Sequence, residues 1–273
     1  MQETKIETSH GRIHVQDSGG TGPAVTFLHG NSSCSAIFRH QMASDLAATY
    51  RLIAIDLPGH GQSDNATDPA RTYTLTGLAD VVVQALDRLG AADPVIVGSS
   101  MGGHIGIEVA SRLPGVRGLA ISGTPPCGPG PDVMAVFTPQ PQMAFTFKPE
   151  FTAEEAETYA RYTTSLTQPL DPVFVAAARR ADGRLRALIG ESFVAGREGT
   201  PAVPFVAAWP RPIAVIQGAD EPFFDNAYVE GLTWGNLWEG RVHIIPDAGH
   251  VPFYEAPAVY NPMLARFLGA ATA

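Results

Sequence analysis

The sequence predicts a doubly wound α/β fold, a mostly parallel sheet with an inserted helical cap. Three observations carry that prediction. Short apolar runs with little alternation recur along the chain, helical patterns separate them, and the rhythm stops between about residues 125 and 211. Strands buried on both faces read as continuous apolar runs, and strand–helix alternation is the signature of a parallel sheet covered on both sides.

In chain order, Ile6-Glu7-Thr8-Ser9-His10 and Arg12-Ile13-His14-Val15-Gln16 alternate apolar and polar residues about Gly11, which reads as an opening hairpin. The apolar runs follow: Ala24–Leu28, Leu52–Ile55, Val95–Val97, Leu119–Ile121, Ile213–Ile216 and Val242–Ile245. Helical patterns cover Leu75 to Leu89, the stretch after Ser100, and Pro257 to Leu268. The Pro/Gly-rich segment Thr124-Pro125-Pro126-Cys127-Gly128-Pro129-Gly130-Pro131 marks a boundary, and the strand rhythm resumes only at Pro212-Ile213. Within that gap Ala153 to Tyr162 and Val173 to Ser192 read as helices. The gap is far too long for one crossover, so a core domain of residues 1–125 and 211–273 is expected to carry a helical cap of residues 126–210. The chain shows no internal repeat.

Composition bounds the rest. The 273 residues are 45% hydrophobic and 16% charged, which supports a sizeable core. A net charge of −9 would repel nucleic acid and anionic membrane surfaces alike, so neither is an expected partner. Met1-Gln2-Glu3-Thr4-Lys5-Ile6-Glu7 lacks the basic start and apolar run of a signal peptide, and no segment approaches the roughly 20 apolar residues needed to span a bilayer. A cytoplasmic protein acting on a small molecule is the expectation, with oligomeric state left open. Cys34 and Cys127 are too few for a disulfide framework and read as reduced thiols.

The chemistry starts at Gly98-Ser99-Ser100-Met101-Gly102. A G-x-S-x-G between a strand and a helix places its serine on a strained turn at the top of a sheet. A serine hydroxyl is a weak nucleophile unless a base lies in hydrogen-bond reach and a third group orients that base. The chain order serine, acid, histidine leaves His243 and His250 as candidate bases among eight histidines. His243 lies inside an apolar run and reads as packed. His250 follows Pro246-Asp247-Ala248-Gly249, on a loop just past a strand end, and is the expected base. Spacing alone does not choose the acid between the adjacent Asp220 and Glu221, with Asp225 near. Oxyanion donors are expected from the backbone N–H groups of Met101 and Asn31, the latter on the loop Leu28-His29-Gly30-Asn31-Ser32-Ser33. His29 and His60 read as bracing residues and His104 as a packed polar residue. Arg179, Arg180, Arg184 and Arg186 read as a solvated helix face, their functional alternative being an acidic substrate or partner. No cluster has metal-ligand spacing, and glycine-rich nucleotide loops are missing, so neither a metal nor a cofactor is expected.

His29-Gly30-Asn31, Asp56-Leu57-Pro58-Gly59-His60-Gly61-Gln62-Ser63, Gly98 to Gly102 and Asp247-Ala248-Gly249-His250 occur in the order seen in the α/β-hydrolase superfamily, and the resemblance covers essentially the whole chain. It implies that the acid is Glu221, just before Pro222. Most relatives carry aspartate there, so the chain departs from the commoner pattern and Asp220 remains the fallback. Epoxide hydrolases and haloalkane dehalogenases use aspartate at the elbow; Ser100 favours acyl transfer. More narrowly, His29-Gly30-Asn31-Ser32-Ser33, Gly123-Thr124-Pro125-Pro126, Asp220-Glu221-Pro222-Phe223 and Gly235-Asn236-Leu237-Trp238-Glu239-Gly240 look like the metal-independent N-acyl-homoserine lactonases. That resemblance implies a quorum-quenching lactonase working through Ser100, His250 and Glu221 and an acyl-enzyme. It makes Gly30, Asn31 and Tyr159 the expected substrate-binding residues. Phe137, Met143, Phe145, Phe147 and Phe174 are expected either to line an acyl channel or to form cap core. The alternatives are a general carboxylesterase on small esters, a hydrolase-fold receptor for a lactone-like signal, and other serine hydrolases such as C–C bond hydrolases.

Overall fold

The fold is given by a computed structural model that describes residues 1–127, 131–164, 169–195 and 199–273. Gly128, Pro129 and Gly130 of the expected boundary lie outside the described residues, as do 165–168 and 196–198 of the expected cap.

The opening hairpin is β1 (Gln2–Thr8) with β2 (Gly11–Asp17), antiparallel, Thr8 standing opposite Gly11. The apolar runs become β3 (Ala24–Leu28), β4 (Arg51–Ile55), β5 (Val95–Ser99), β6 (Gly118–Ser122), β7 (Ile213–Gly218) and β8 (His243–Ile245). Together these form one sheet in the order β1-β2-β4-β3-β5-β6-β7-β8, antiparallel at β1–β2–β4 and parallel from β4 to β8. The chain leaves β3 to one side for β4, then crosses back to β5 on the other side. At such a reversal the loops after the two strands diverge and leave a crevice at their carboxyl ends. The loop carrying Asn31 follows β3, and Ser100 follows β5.

Apolar runs without alternation hide a period of two that the structure displays. Val25 and Phe27, Leu52 and Ala54, Val95 and Val97, and Ala214 and Ile216 pack in one core with Phe38, Leu264 and Phe267. Ala24 and Leu28, Ile53 and Ile55, Ile96, and Ile213 and Val215 pack in the other with Leu78, Val82, Ile105 and Val109. Helix Pro257–Thr272 therefore covers one face of the sheet, while helices Leu75–Arg88 and Met101–Arg112 cover the other.

Between β6 and β7 the described residues form helices and loops but no strand. Helix Ala153–Tyr162 starts at a capping box in which Thr152 and Glu155 satisfy each other's backbone N–H. The single helix expected from Val173 to Ser192 is instead two, Pro172–Arg180 and Gly183–Val194. Asp182 breaks it. Its carboxylate accepts the Arg184 N–H and the Tyr73 hydroxyl, and its own N–H donates to Gly59 O at 2.8 Å. An aspartate that caps the next helix competes with continuation of the last one. Among the described residues no helix is long and apolar enough to cross a membrane.

Candidate active site

Ser100 sits between β5 and helix Met101–Arg112 with φ 54° and ψ −123°, a conformation that a side-chain-bearing residue holds only when its surroundings over-determine it. They do. The Ser100 N–H donates to Ser122 O at 2.8 Å, and the Thr124 hydroxyl donates to Ser100 O at 2.9 Å. A Cβ on Gly102 would stand 2.0 Å from Leu28 O, so the turn can sit this close to β3 only with glycine there. The N–H of Met101, first residue of its helix, has no intrahelical acceptor and is free to serve an anion.

The loop after β3 is braced from below. Leu57 N–H donates to His29 Nε2 at 3.0 Å, so the other nitrogen, Nδ1, carries the proton and donates to Gly30 O at 2.8 Å. In the same way Ser32 N–H donates to His60 Nε2, leaving His60 Nδ1 to donate to Pro58 O. Burial pushes His60 down to about 3, so it stays a neutral acceptor. Helical residues brace the loop from above. Asn31 Nδ2 donates to Thr146 O at 2.9 Å, and the Tyr159 hydroxyl donates to Asn31 O at 3.2 Å. Burial raises the Tyr159 phenol to about 12, which keeps it a donor.

His250 follows the turn after β8, and its Nδ1 lies 2.8 Å from both carboxylate oxygens of Glu221. A carboxylate only accepts, so the proton is on Nδ1 and Nε2 is the free base nitrogen. Glu221 is brought there by a zipper of two turns: Ala219 N–H donates to Ile245 O and Asp220 N–H to Ala248 O, both at 2.9 Å. Asp220 itself is exposed. Phe223 closes the arrangement, donating its N–H to Glu221 Oε1 at 3.0 Å and packing its ring 4.4 Å from the His250 ring.

One cavity is lined by Gly30, Asn31, Ser100, Met101, Tyr159 and His250, and by Phe137, Met143, Phe147, Phe174 and Phe223. The structure thus brings the expected site residues together around one space, and aromatic side chains from the helical segment roof it. Phe145 is turned away and packs edge-on to Phe151 at 6.0 Å. His104 lines the cavity, with burial pushing it down to about 4. Cys34 and Cys127 are buried and form no disulfide, and burial raises the Cys34 thiol to about 11, far from a reactive thiolate. The arginine cluster corrects the sequence reading in one member. Arg179, Arg180 and Arg184 are exposed, whereas Arg186 is 2% exposed and donates to the Ser32 hydroxyl at 2.9 Å. The sequence reading places Arg186 on a solvated face and gives Phe223 no role of its own. The signal for Arg186 was its place on the shoulder of the apolar face formed by Leu185 and Ile189.

A strained serine, a histidine–carboxylate pair and two candidate oxyanion donors at the carboxyl edge of a parallel sheet define a class of protein, and comparison with known families agrees with it. A family model described as the alpha/beta hydrolase fold matches residues 23–257, and the chain belongs to that family; it is a hydrolase. Among solved structures it is similar to the N-acyl homoserine lactonase AidH, seen as a mutant with N-hexanoyl homoserine lactone and also with N-butanoyl homoserine. The TM-score is 0.93 at 42% identity, over 100% of this chain and 98–99% of that one. It is 29% identical over 266 residues to the dihydrolipoyllysine-residue acetyltransferase component of the acetoin cleaving system of Cupriavidus necator, covering 94% of this chain and 67% of that protein. It is 27% identical over 276 residues to a 2-hydroxy-6-oxononadienedioate/2-hydroxy-6-oxononatrienedioate hydrolase of Burkholderia vietnamiensis, covering 94% and 91%.

Proposed function

We propose that this protein hydrolyses the lactone ring of N-acyl-homoserine lactones, and thereby quenches quorum signals, with Ser100 as nucleophile, His250 as base and Glu221 as the acid that orients it. The observation that carries the substrate is the end-to-end similarity to AidH at 42% identity, far above the 19–21% at which esterases share only the fold. In this reading residues 126–210 form a cap over a core of residues 1–125 and 211–273.

His250 Nε2 takes the Ser100 hydroxyl proton as Oγ attacks the lactone carbonyl, and Glu221 stabilises the imidazolium through Nδ1. The N–H groups of Asn31 and Met101 hold the oxyanion. The tetrahedral intermediate collapses by breaking the ring C–O bond, and His250 returns its proton to the leaving alkoxide. The alcohol stays tethered, because ring and acyl-enzyme share the homoserine carbons. A water deprotonated by His250 then cleaves the Ser100 ester and releases the open acid. The acyl tail lies among Phe137, Met143, Phe147 and Phe174, Gly30 and Asn31 flank the carbonyl, and the Tyr159 hydroxyl meets the polar head of the substrate. Two buried cysteines that form no disulfide suit a reducing compartment, so the cytoplasm is the proposed location.

The test is kcat/KM for acyl-homoserine lactones of several chain lengths beside open-chain esters of matched acyl length. Lactones should be the better substrates by about tenfold or more, multiple turnovers should be seen, and chelators should have no effect. Ser100→Ala should abolish turnover while leaving the circular dichroism spectrum unchanged. Negligible lactone opening with good ester hydrolysis would make the protein a carboxylesterase, and a single slow turnover would make it a receptor.

A further inference from the structure

Arg186 is a buried cation that the proposed mechanism leaves unused. Three of its donors meet neutral oxygens: Nε donates to Lys148 O, Nη2 to Pro149 O at 2.7 Å and Nη1 to the Ser32 hydroxyl at 2.9 Å. Its guanidinium carbon stands 3.9 Å over the Phe151 ring. Removing a charge from water costs several kcal/mol; the neutral acceptors return only part of that, and the Asp182 carboxylate, which acts on the guanidinium without bonding it, does not outweigh burial. A surface position, like those of Arg180 and Arg184, would carry no such cost.

What the cation reaches is the loop that carries a candidate oxyanion donor. Ser32 accepts from Arg186 and so turns its own hydroxyl proton to Asn31 Oδ1, at 3.0 Å. Asn31 in turn donates through Nδ2 to Thr146 O at 2.9 Å. The path runs from guanidinium to hydroxyl to amide to carbonyl, each donor polarising the next. Both of its ends lie on the helical segment, and its middle lies on the core. Ser32 holds φ 55°, so the peptides of this loop need an external clamp to keep their direction.

We propose that Arg186 is a positioning residue for the oxyanion hole: through Ser32 it fixes the side chain of Asn31 and so aims the Asn31 backbone N–H at the reacting carbonyl. The inference rests on the reading that Ser100 is the nucleophile and Asn31 N–H an oxyanion donor. It does not depend on which acyl substrate is cleaved. The loop geometry is then made by the helical segment, and docking of that segment on the core completes the hole.

The experiment uses full-length Arg186→Met, Arg186→Lys, Ser32→Ala and the Arg186→Met/Ser32→Ala pair, all assayed on a short p-nitrophenyl ester. Competent sites are counted by exhaustive fluorophosphonate labelling of Ser100, so that rates refer to folded enzyme. Arg186→Met should lower kcat per labelled site about 10- to 100-fold with KM changed less than threefold, short of the roughly 10²- to 10³-fold cost of deleting an oxyanion donor, because the donor is misaimed and not removed. Binding of a boronic acid, whose adduct with Ser100 places an oxyanion in the hole, should weaken by the same factor, while product carboxylate binding holds. Ser32→Ala should cost a similar factor, and the pair no more than the worse single change, because both cut one path. Arg186→Lys, which keeps the charge but not the fork, should fall between. If Arg186→Met does not fold, Ser32→Ala alone decides through its kcat and boronic acid affinity. Unchanged kcat per labelled site with only a lower melting temperature makes Arg186 a structural staple and overturns the proposal, as do losses that multiply in the pair. Failure of the lactonase reading appears separately, as wild-type enzyme that cleaves the ester but not lactones. Failure of the nucleophile reading appears as wild-type enzyme that fluorophosphonate does not label at Ser100.

Discussion

Glu221 and Asp220 are neighbours with the same chemistry, and one peptide unit separates their fates. Asp220 gives its N–H to Ala248 O and leaves its carboxylate in solvent, while Glu221 turns inward to a position where its side chain is 1% exposed against His250. Glu221→Gln keeps an acceptor for Nδ1–H but removes the charge that stabilises an imidazolium. It should lower kcat about 10²- to 10⁴-fold, whereas Asp220→Asn should change it less than threefold; steady-state kinetics of the two variants decide, and the reverse outcome would reassign the acid. Gly123 sets the other side of the base. At φ 61°, a Cβ there would stand 2.6 Å from His250 Cε1 and 2.7 Å from Nδ1, so the imidazole packs directly on its backbone. Gly123→Ala should displace His250 and cut kcat about tenfold or more while lowering stability by about 1 kcal/mol from the backbone alone, read by kinetics and urea unfolding of the same preparation. The proposed nucleophile Ser100 and proposed base His250 are named from motif and chain order. Spacing alone does not choose the carboxylate, because direction at a turn depends on which backbone groups the turn pairs with; the family resemblance points to Glu221, and it is Glu221 that stands against His250.

Helix Ala153–Tyr162 shows how one element serves two loops. Tyr159 and Tyr162, one turn apart on the same face, donate their hydroxyls to Asn31 O at 3.2 Å and Pro222 O at 3.0 Å. Tyr162 also packs 4.7 Å from the Phe223 ring, which packs on His250. Tyr162→Phe keeps the ring contact and leaves one partly buried carbonyl without this donor, so it should cost about 1 kcal/mol in denaturant unfolding and little in kcat. Tyr162→Ala removes the support under Phe223 and should lower kcat several-fold more than Tyr162→Phe. Equal kinetics for the two would show that the ring stack does not hold the base. The helix itself was readable from its pattern, and its partners were not. The break at Asp182 was missed for a related reason: Ala181 and Asp182 disturb the 3.6-residue rhythm little, and what stops the helix is Tyr73 and Gly59, more than a hundred residues away.

Across the whole molecule, the site lies at the strand-order reversal between β3 and β5, and its supports include neutral buried histidines. Burial holds His60 near 3 and His104 near 4, against about 6.5 in an unfolded chain. Between those values the unfolded state binds protons that the folded state refuses, so stability falls as pH drops below about 6.5, by up to about 1.4 kcal/mol per pH unit for each histidine. Unfolding free energies at pH 7 and pH 5 should differ accordingly, and His104→Asn should make the curve shallower; an unchanged slope would remove His104 from that account. The fold class and the order of the strands and helices could be read from the sequence alone, and Ser100, His250 and the Asn31 loop could be named from it as candidates. Each rests on something local to the chain: apolar runs that must be buried, a glycine-flanked turn, a loop just past a strand. The inward turn of Arg186, the two tyrosine contacts and the contact of Glu221 with His250, which spacing leaves open and the family resemblance implies, belong to the tertiary structure. Each of these joins residues far apart in the chain, Arg186 and Ser32 by 154 positions. Such contacts depend on how packed elements aim their side chains, and no local pattern records that.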